Sequence, residues 1–202
     1  MSKSDYTIVY RGSIFRVLQK KYHFPDGKIK VFEIAERSPG VRIIVISGTN
    51  LLLTREWRHE INGFDFRLPG GKIFDSLKDF EKNLSDMQVH AKLAAKRELL
   101  EETKIDLPAN NFVLFQISKG GATVAWDLYY FAVENTQDDI KADAICTEEG
   151  EEISIDWYPL PTVAQYCIDG KISEDRTVSV LLKYLYSQGY VKIMKNMDGY
   201  YE

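Results

Sequence analysis

The segment Ala94–Thr103, AAKRELLEET, restricts this chain more than any other, because it sets three carboxylates beside an arginine in a run of good helix formers. At about 100° per residue, Glu98, Glu101 and Glu102 fall within roughly a 100° arc of one helical face. Like charges four residues apart destabilise a bare helix by about a few tenths of a kcal/mol. A hard divalent cation reverses that penalty, because it binds carboxylate oxygens. A solvated acidic face has the same composition, so the helix alone does not decide the matter. Upstream, a strand-like run ends in the turn Leu68-Pro69-Gly70-Gly71-Lys72. A strand, a Pro-Gly-Gly turn and a return to an acidic helix together make the layout of a phosphate and metal site.

Composition bounds the remaining classes. A chain of 202 residues suits one sizeable domain with a small extension. The net charge of −4 gives no reason to expect nucleic acid or an anionic membrane as partner. No apolar run approaches the ~20 residues of a membrane span, and the first residues lack the apolar core of a signal peptide. Cys146 and Cys167 are too few for a disulfide framework, and His23, His59 and His90 are scattered. The expectation is a cytoplasmic protein without a zinc site.

The first forty residues read as strands. Tyr6–Val9, Ser13–Leu18 and Lys20–Phe24 lead into the turn Pro25-Asp26-Gly27, and Lys28–Ala35 returns as hairpin partner. Val41–Ile46 is nearly continuous apolar sequence, as in a strand buried on both faces. Leu51–Arg55 and Phe64–Leu68 follow as strands, and Val89–Thr103 as helix. Phe112–Ser118, Thr123–Val133 and Glu152–Trp157 are predicted strands, and Pro161–Ile168 a short helix ended by Gly170. A last helix runs to about Ser187 with Ser173 as N-cap, its Val178, Leu181, Leu182 and Leu185 at helical spacing. The expected division is an N-terminal strand subdomain over 1–40, a main domain over 41–190 and a tail over 191–202.

The turn and the acidic helix together resemble the signature of the Nudix hydrolases, G-x5-E-x7-R-E-U-x-E-E-x-G-U with U aliphatic. Gly71 matches the first Gly, Arg97-Glu98-Leu99 the REU, Glu101-Glu102 the EE pair and Ile105 the final U. Three departures stand out. The spacing from Gly71 to Arg97 is about 12 residues longer than the signature's. Val89 stands where the family has its first Glu, and Lys104 where it has its last Gly. Asp75, Asp79, Glu81 and Asp86, in the inserted stretch, are the candidates to replace the missing carboxylate. Leu77, Phe80 and Leu84 in that stretch suit a short amphipathic helix, with Ser85 or Asp86 capping the helix behind it.

From about Tyr10 to Tyr186 the chain resembles the branch of ADP-ribose and nucleoside-diphosphate-sugar pyrophosphatases. The matching features are Gly12–Phe15, Pro25-Asp26-Gly27, Pro39-Gly40, Glu56-Trp57-Arg58, Trp157-Tyr158-Pro159-Leu160 and Gly170-Lys171-Ile172. Gly120 stands where ADP-ribose enzymes usually carry proline, which moves the expectation from ADP-ribose itself toward any linked nucleoside diphosphate. The resemblance implies an α+β Nudix fold, a mixed sheet between helices in an α/β/α sandwich, with an N-terminal antiparallel strand extension that forms a homodimer. It implies Mg²⁺, with Mn²⁺ as substitute, held by Glu98, Glu102, Glu101 and the Gly70 carbonyl. Gly71 and Arg97 are structural in that reading. Glu149 and Glu151, on the acidic loop before Trp157, are candidates for general base, with Glu101 beside them. Arg58, Arg55 and Phe24 are candidates for substrate contact, with Tyr22 and Phe32 as further stacking partners. The expected reaction is cleavage of the pyrophosphate bond of ADP-ribose or a nucleotide sugar, releasing a nucleoside monophosphate. Two other readings stay open: hydrolysis of nucleoside triphosphates or dinucleoside polyphosphates, and a catalytically weak nucleotide-binding module.

Overall fold

The computed structural model describes residues 6–59, 61–134 and 153–192. The chain forms an α+β structure of two compact units, Met1–Ile43 with Pro69–Val133, and Ile44–Leu68 with Glu134–Glu202.

In the first unit, β1 (Thr7–Arg11), β2 (Phe15–His23) and β3 (Ile29–Arg37) form an antiparallel set, and the short β8 (Val124–Ala125) joins β3 in parallel. The turn lies where the sequence places it, and Asp26 Oδ1 accepts from the Lys28 N–H at 3.1 Å. The expected break between Ser13–Leu18 and Lys20–Phe24 does not occur. Pairing runs unbroken from Phe15 opposite Arg37 to His23 opposite Ile29. The ladder satisfies the backbone of the polar stretch Gln19-Lys20-Lys21, and Gln19 Nε2 donates across it to Glu33 at 3.1 Å. The expected strand Thr123–Val133 is in fact two. Val124–Ala125 pairs with β3, whereas β9 (Leu128–Glu134) lies between β4 (Gly40–Ser47) and β7 (Val113–Ser118). The change of sheet falls at Trp126-Asp127, where Asp127 O accepts from Gly40 N at 3.0 Å.

Two helices complete this unit, α1 (Leu77–Lys82) in the inserted stretch and α2 (Met87–Thr103). Ser76 caps α1 through its Oγ, and Leu77 and Phe80 are buried, but Leu84 falls beyond the helix end. Helix α2 begins two residues before the predicted Val89. Asp86 occupies its N-cap position in a left-handed conformation and makes no side-chain cap bond, so neither it nor Ser85 caps as expected. Ala91, Ala94, Ala95 and Leu99 form the buried face of α2. Three alanines in that stripe let the helix lie close to its neighbours. Lys104 has φ 61° at its C-cap, and its N–H reaches Leu100 O at 3.0 Å. This left-handed position is where the signature has glycine, and a lysine there costs about 1–2 kcal/mol.

In the second unit, β5 (Asn50–Arg58) pairs with the end of β4, with β10 (Ile153–Pro159) and with β6 (Gly63–Arg67), all antiparallel. Helices α3 (Leu160–Ile168) and α4 (Asp175–Ser187) follow. Leu51, Leu52, Leu53, Leu160, Val163 and Leu181 are fully or almost fully buried. Ser173 is not the N-cap of α4; Glu174 holds that position. The Ser173 hydroxyl donates instead to the buried Asp65 at 2.8 Å, and its N–H donates to the same carboxylate at 2.9 Å. A buried carboxylate needs those donors more than the helix end does. Burial pushes the Cys167 thiol on α3 up to about 11, so it has no thiolate character at neutral pH. No helix among the described residues is long and apolar enough to cross a membrane.

Candidate functional site

The site is built where the turn after β6 runs between β4 and α2, within the first unit. Three backbone bonds fasten that turn to β4 and its lead-in: Ile43 N to Pro69 O at 2.9 Å, Val41 N to Gly71 O at 2.9 Å, and Ile73 N to Pro39 O at 3.0 Å. Gly70 has φ 152°, and a Cβ there would lie 2.2 Å from the Val41 carbonyl oxygen. A Cβ on Gly71 would lie 2.3 Å from Glu98 Oε2. The two glycines therefore answer different needs. Gly70 permits the approach of one backbone to another, and Gly71 leaves the space that the Glu98 carboxylate fills.

Helix α2 brings its charges to this turn unequally. Glu102 Oε2 accepts from the Gly70 N–H at 3.1 Å. Arg97 Nη2 donates to Glu98 Oε1 at 2.8 Å and to the Lys72 carbonyl at 2.9 Å, joining helix and turn. Glu101 stays on the outer flank with its side chain 52% exposed, 3.8 Å from Arg97 Nε. Spacing alone set the three carboxylates on one arc, but at the turn the arc divides into a facing pair and an outlying third. Among the described residues, accordingly, no three His, Cys, Asp or Glu side chains converge as a cation site.

Electrostatics nevertheless favour a cation beside the pair. Burial pushes the Glu98 carboxyl above its ordinary range, Arg97 opposes this, and the charges of Glu101 and Asp75 reinforce it. The paired Glu98 in turn raises Arg97, with smaller contributions from Glu101 and Asp75. A partly buried carboxylate whose desolvation is not fully offset by its one arginine gains from further positive charge. Hard divalent cations supply that charge and take oxygen donors. The donor chemistry here, two carboxylates and a glycine-turn backbone, fits such an ion.

The four proposed replacements for the missing first Glu are not equivalent. Asp75 is exposed, and its charge bears on Glu98. Asp79 bonds the Ser76 hydroxyl at 2.6 Å, Glu81 pairs with Arg11 and Arg16, and Asp86 sits at the start of α2. Val89 itself is 57% exposed. Glu149 and Glu151 lie outside the described residues. In the second unit Arg58 pairs with Glu56 at 2.9 Å, and the Arg55 guanidinium stacks 3.7 Å from the Phe64 ring centre, beside Trp57. In the first unit Phe24 is exposed at the β2–β3 turn, while Tyr22 and Phe32 meet edge to face at 5.1 Å.

Arg16 and Glu36 went unnoticed in the sequence. Both are buried, and Arg16 Nε donates to Glu36 at 2.7 Å while its other nitrogens reach Glu36 and Glu81. Their signal was strand alternation: Arg16 shares the inward register of β2 with Leu18. A charge on the buried face of a strand requires a partner.

No curated protein sequence matches the chain. The crystal structure of ADP compounds hydrolase resembles it with a TM-score of 0.63 at 20% sequence identity, over 95% of this chain and 100% of that one. At that identity the likeness is one of fold. The NUDIX domain matches residues 36–174, which span both the Gly70-Gly71 turn and all of α2. The chain belongs to the NUDIX family of hydrolases.

Proposed function

We propose that this hydrolase is a divalent-cation-dependent pyrophosphatase acting on a nucleoside diphosphate joined to a second moiety, ADP-ribose or a nucleotide sugar, and that it releases a nucleoside monophosphate. The observation that carries the reading is the approach of Glu98 and Glu102 to the Gly70-Gly71 turn. Its likeness in fold to an ADP compounds hydrolase supports the choice of substrate class. Glu98, Glu102 and the Gly70 carbonyl would hold Mg²⁺ or Mn²⁺, with Asp75 the nearest substitute for the carboxylate absent at Val89. When bound, the ion neutralises the diphosphate and acidifies water. Arg97 is a positioning residue: it fixes Glu98 against the Lys72 carbonyl so that the carboxylate does not swing to solvent. Glu149 or Glu151 takes the proton of the attacking water, and Arg58, Arg55 and Phe24 contact substrate. A panel of linked nucleoside diphosphates, nucleoside triphosphates and dinucleoside polyphosphates with Mg²⁺ tests the reading. Release of monophosphate from the first class is expected. Turnover confined to the other two classes would overturn the substrate assignment, and none on any would leave a binding module.

The same reading includes a homodimer formed through the N-terminal strands of residues 1–40. Tyr10, Phe15, Val31 and Phe32 on those strands are all exposed. That much apolar area on a sheet needs a cover, and a second copy of the chain supplies one. Light scattering at micromolar concentration is expected to give about twice the 23.3 kDa chain mass. A monomer at that concentration removes the subdomain's proposed role.

A further inference from the structure

A cavity of about 420 Å³ opens in the first unit beside the Gly70–Lys72 turn. Pro39 lines it, the Pro39 carbonyl accepts from Ile73 N, and the adjoining Gly40 bridges to Lys72. One wall, made of Phe80, Leu84 and Met87, comes from the stretch inserted before α2 and from the first residue of that helix. Asp127 and Tyr129 line it as well, with Glu36 and Arg37 from the end of β3. The volume lies toward the small end of the roughly 300–1,000 Å³ typical of small-molecule sites. It suits one ring system rather than a whole dinucleotide.

We propose that the insert builds a nucleobase pocket, in which Phe80, Leu84 and Met87 receive the flat face of the base of a nucleoside phosphate. The placement of the phosphates at the Gly70-Gly71 turn rests on the pyrophosphatase reading; the pocket's choice of a ring does not. The apolar wall favours a base over a sugar. Glu36 is held by Arg16 and Asp127 by Lys119 at 2.5 Å, while the Arg37 guanidinium lies 4.4 Å over the Trp126 ring with its buried Nε making no hydrogen bond. A sugar would bury hydroxyls that need polar partners of their own, at a cost for each one left unmatched. A base offers apolar faces to a phenyl ring, a thioether and an isobutyl group.

The wall is also fixed in place. Ser76 caps α1, and Glu81, next to Phe80, pairs with Arg11 and with the buried Arg16. Because Arg16 also holds Glu36, one charge network ties the insert to the strand across the cavity. Phe74 packs at 6.2 Å from Phe80 and 5.2 Å from His90, which joins the wall to α2. A wall ordered in advance loses little freedom when a ligand arrives.

Calorimetric titration of the metal-free protein with AMP, GMP, UMP and ribose 5-phosphate tests the pocket. At least one nucleotide is expected to bind about tenfold or more tightly than ribose 5-phosphate, with the base as the only difference. Leu84 is 46% exposed, so Leu84→Gln should leave the melting temperature unchanged. It should weaken the preferred nucleotide by about fivefold or more while ribose 5-phosphate is unaffected. Phe80→Leu, which keeps an apolar side chain and removes the ring, should do the same. Equal affinity for ribose 5-phosphate and every nucleotide, or nucleotide affinity unmoved in the folded variants, overturns the proposal. Base-dependent binding without hydrolysis of any substrate would instead sink the pyrophosphatase reading and leave the pocket standing.

Discussion

Glu98→Gln and Glu102→Gln are each expected to lower kcat/KM by about three orders of magnitude, roughly 4 kcal/mol of transition-state stabilisation. Glu101→Gln should lose no more than about 10–100-fold, the range for a group beside the reacting centre rather than in it. The difference follows from where α2 puts the three side chains. Glu98 and Glu102 face the Gly70-Gly71 turn, and Glu101 stands in solvent beside Arg97. Glutamine keeps shape and an acceptor oxygen, so Glu102→Gln can still accept from Gly70 N and Glu98→Gln from Arg97. What is lost is the charge. Stability should move the other way, because burial holds the Glu98 carboxyl above its ordinary range. A carboxyl raised in the fold binds its proton more tightly there than in the unfolded chain. Its contribution to stability is therefore greatest at low pH and is lost as pH rises through the folded value. The melting temperature of the metal-free parent should accordingly fall relative to Glu98→Gln as pH rises above the ordinary carboxylate range. If Glu101→Gln loses as much turnover as Glu98→Gln, the division of the arc is not the catalytic one.

What was legible in the sequence was what local rules control. The hairpin around Pro25-Asp26-Gly27, the buried run of β4 and the long α2 each follow from turn chemistry or from apolar periodicity within a few residues. The Gly70-Gly71 turn and the RExxEE helix were legible for a stronger reason, since a defined chemistry needs those residue types together. The failures share the opposite character. Nothing local says that Asp65 will be buried and take Ser173 from its helix end, because 108 residues separate them. Nothing local divides Thr123–Val133 at Trp126-Asp127, since the break is set by which sheet each half can join. The network of Arg16, Glu36 and Glu81 is the most instructive case. The inserted stretch reads as a short amphipathic helix with Glu81 a candidate for the missing carboxylate, yet Glu81 answers a buried arginine on β2. That pairing is visible only once the strands and the insert share a unit.

Gly70→Ala and Gly71→Ala, adjacent and chemically alike, should fail in opposite ways. At position 70 the added Cβ lies 2.2 Å from the Val41 carbonyl oxygen, 2.9 Å from its carbon and 3.0 Å from the Arg42 Cα. All three are backbone atoms of β4, whose residues Gly40–Val45 are buried, so nothing can yield without moving a central strand. The φ of 152° adds a conformation that alanine resists. Gly70→Ala should lose about 3–5 kcal/mol, which in a chain of this size lowers Tm by roughly 6–20 °C. At position 71 the three atoms nearest the new Cβ all belong to the Glu98 carboxylate, 2.3 Å to Oε2 and 2.5 Å to Cδ. Those are the outer atoms of a flexible side chain, and Gly71 has no positive φ to be strained. The carboxylate can swing aside, at the expense of its place in the turn. Gly71→Ala should therefore melt within about 1 kcal/mol of the parent while kcat/KM falls by about a hundredfold or more, as when a catalytic group is displaced by an ångström. Thermal melts and kinetics on both variants separate the two effects. A stable, inactive Gly71→Ala beside an unstable Gly70→Ala is the expected pair. A fully active Gly71→Ala would mean that the position of Glu98 against the turn is not what the reaction uses.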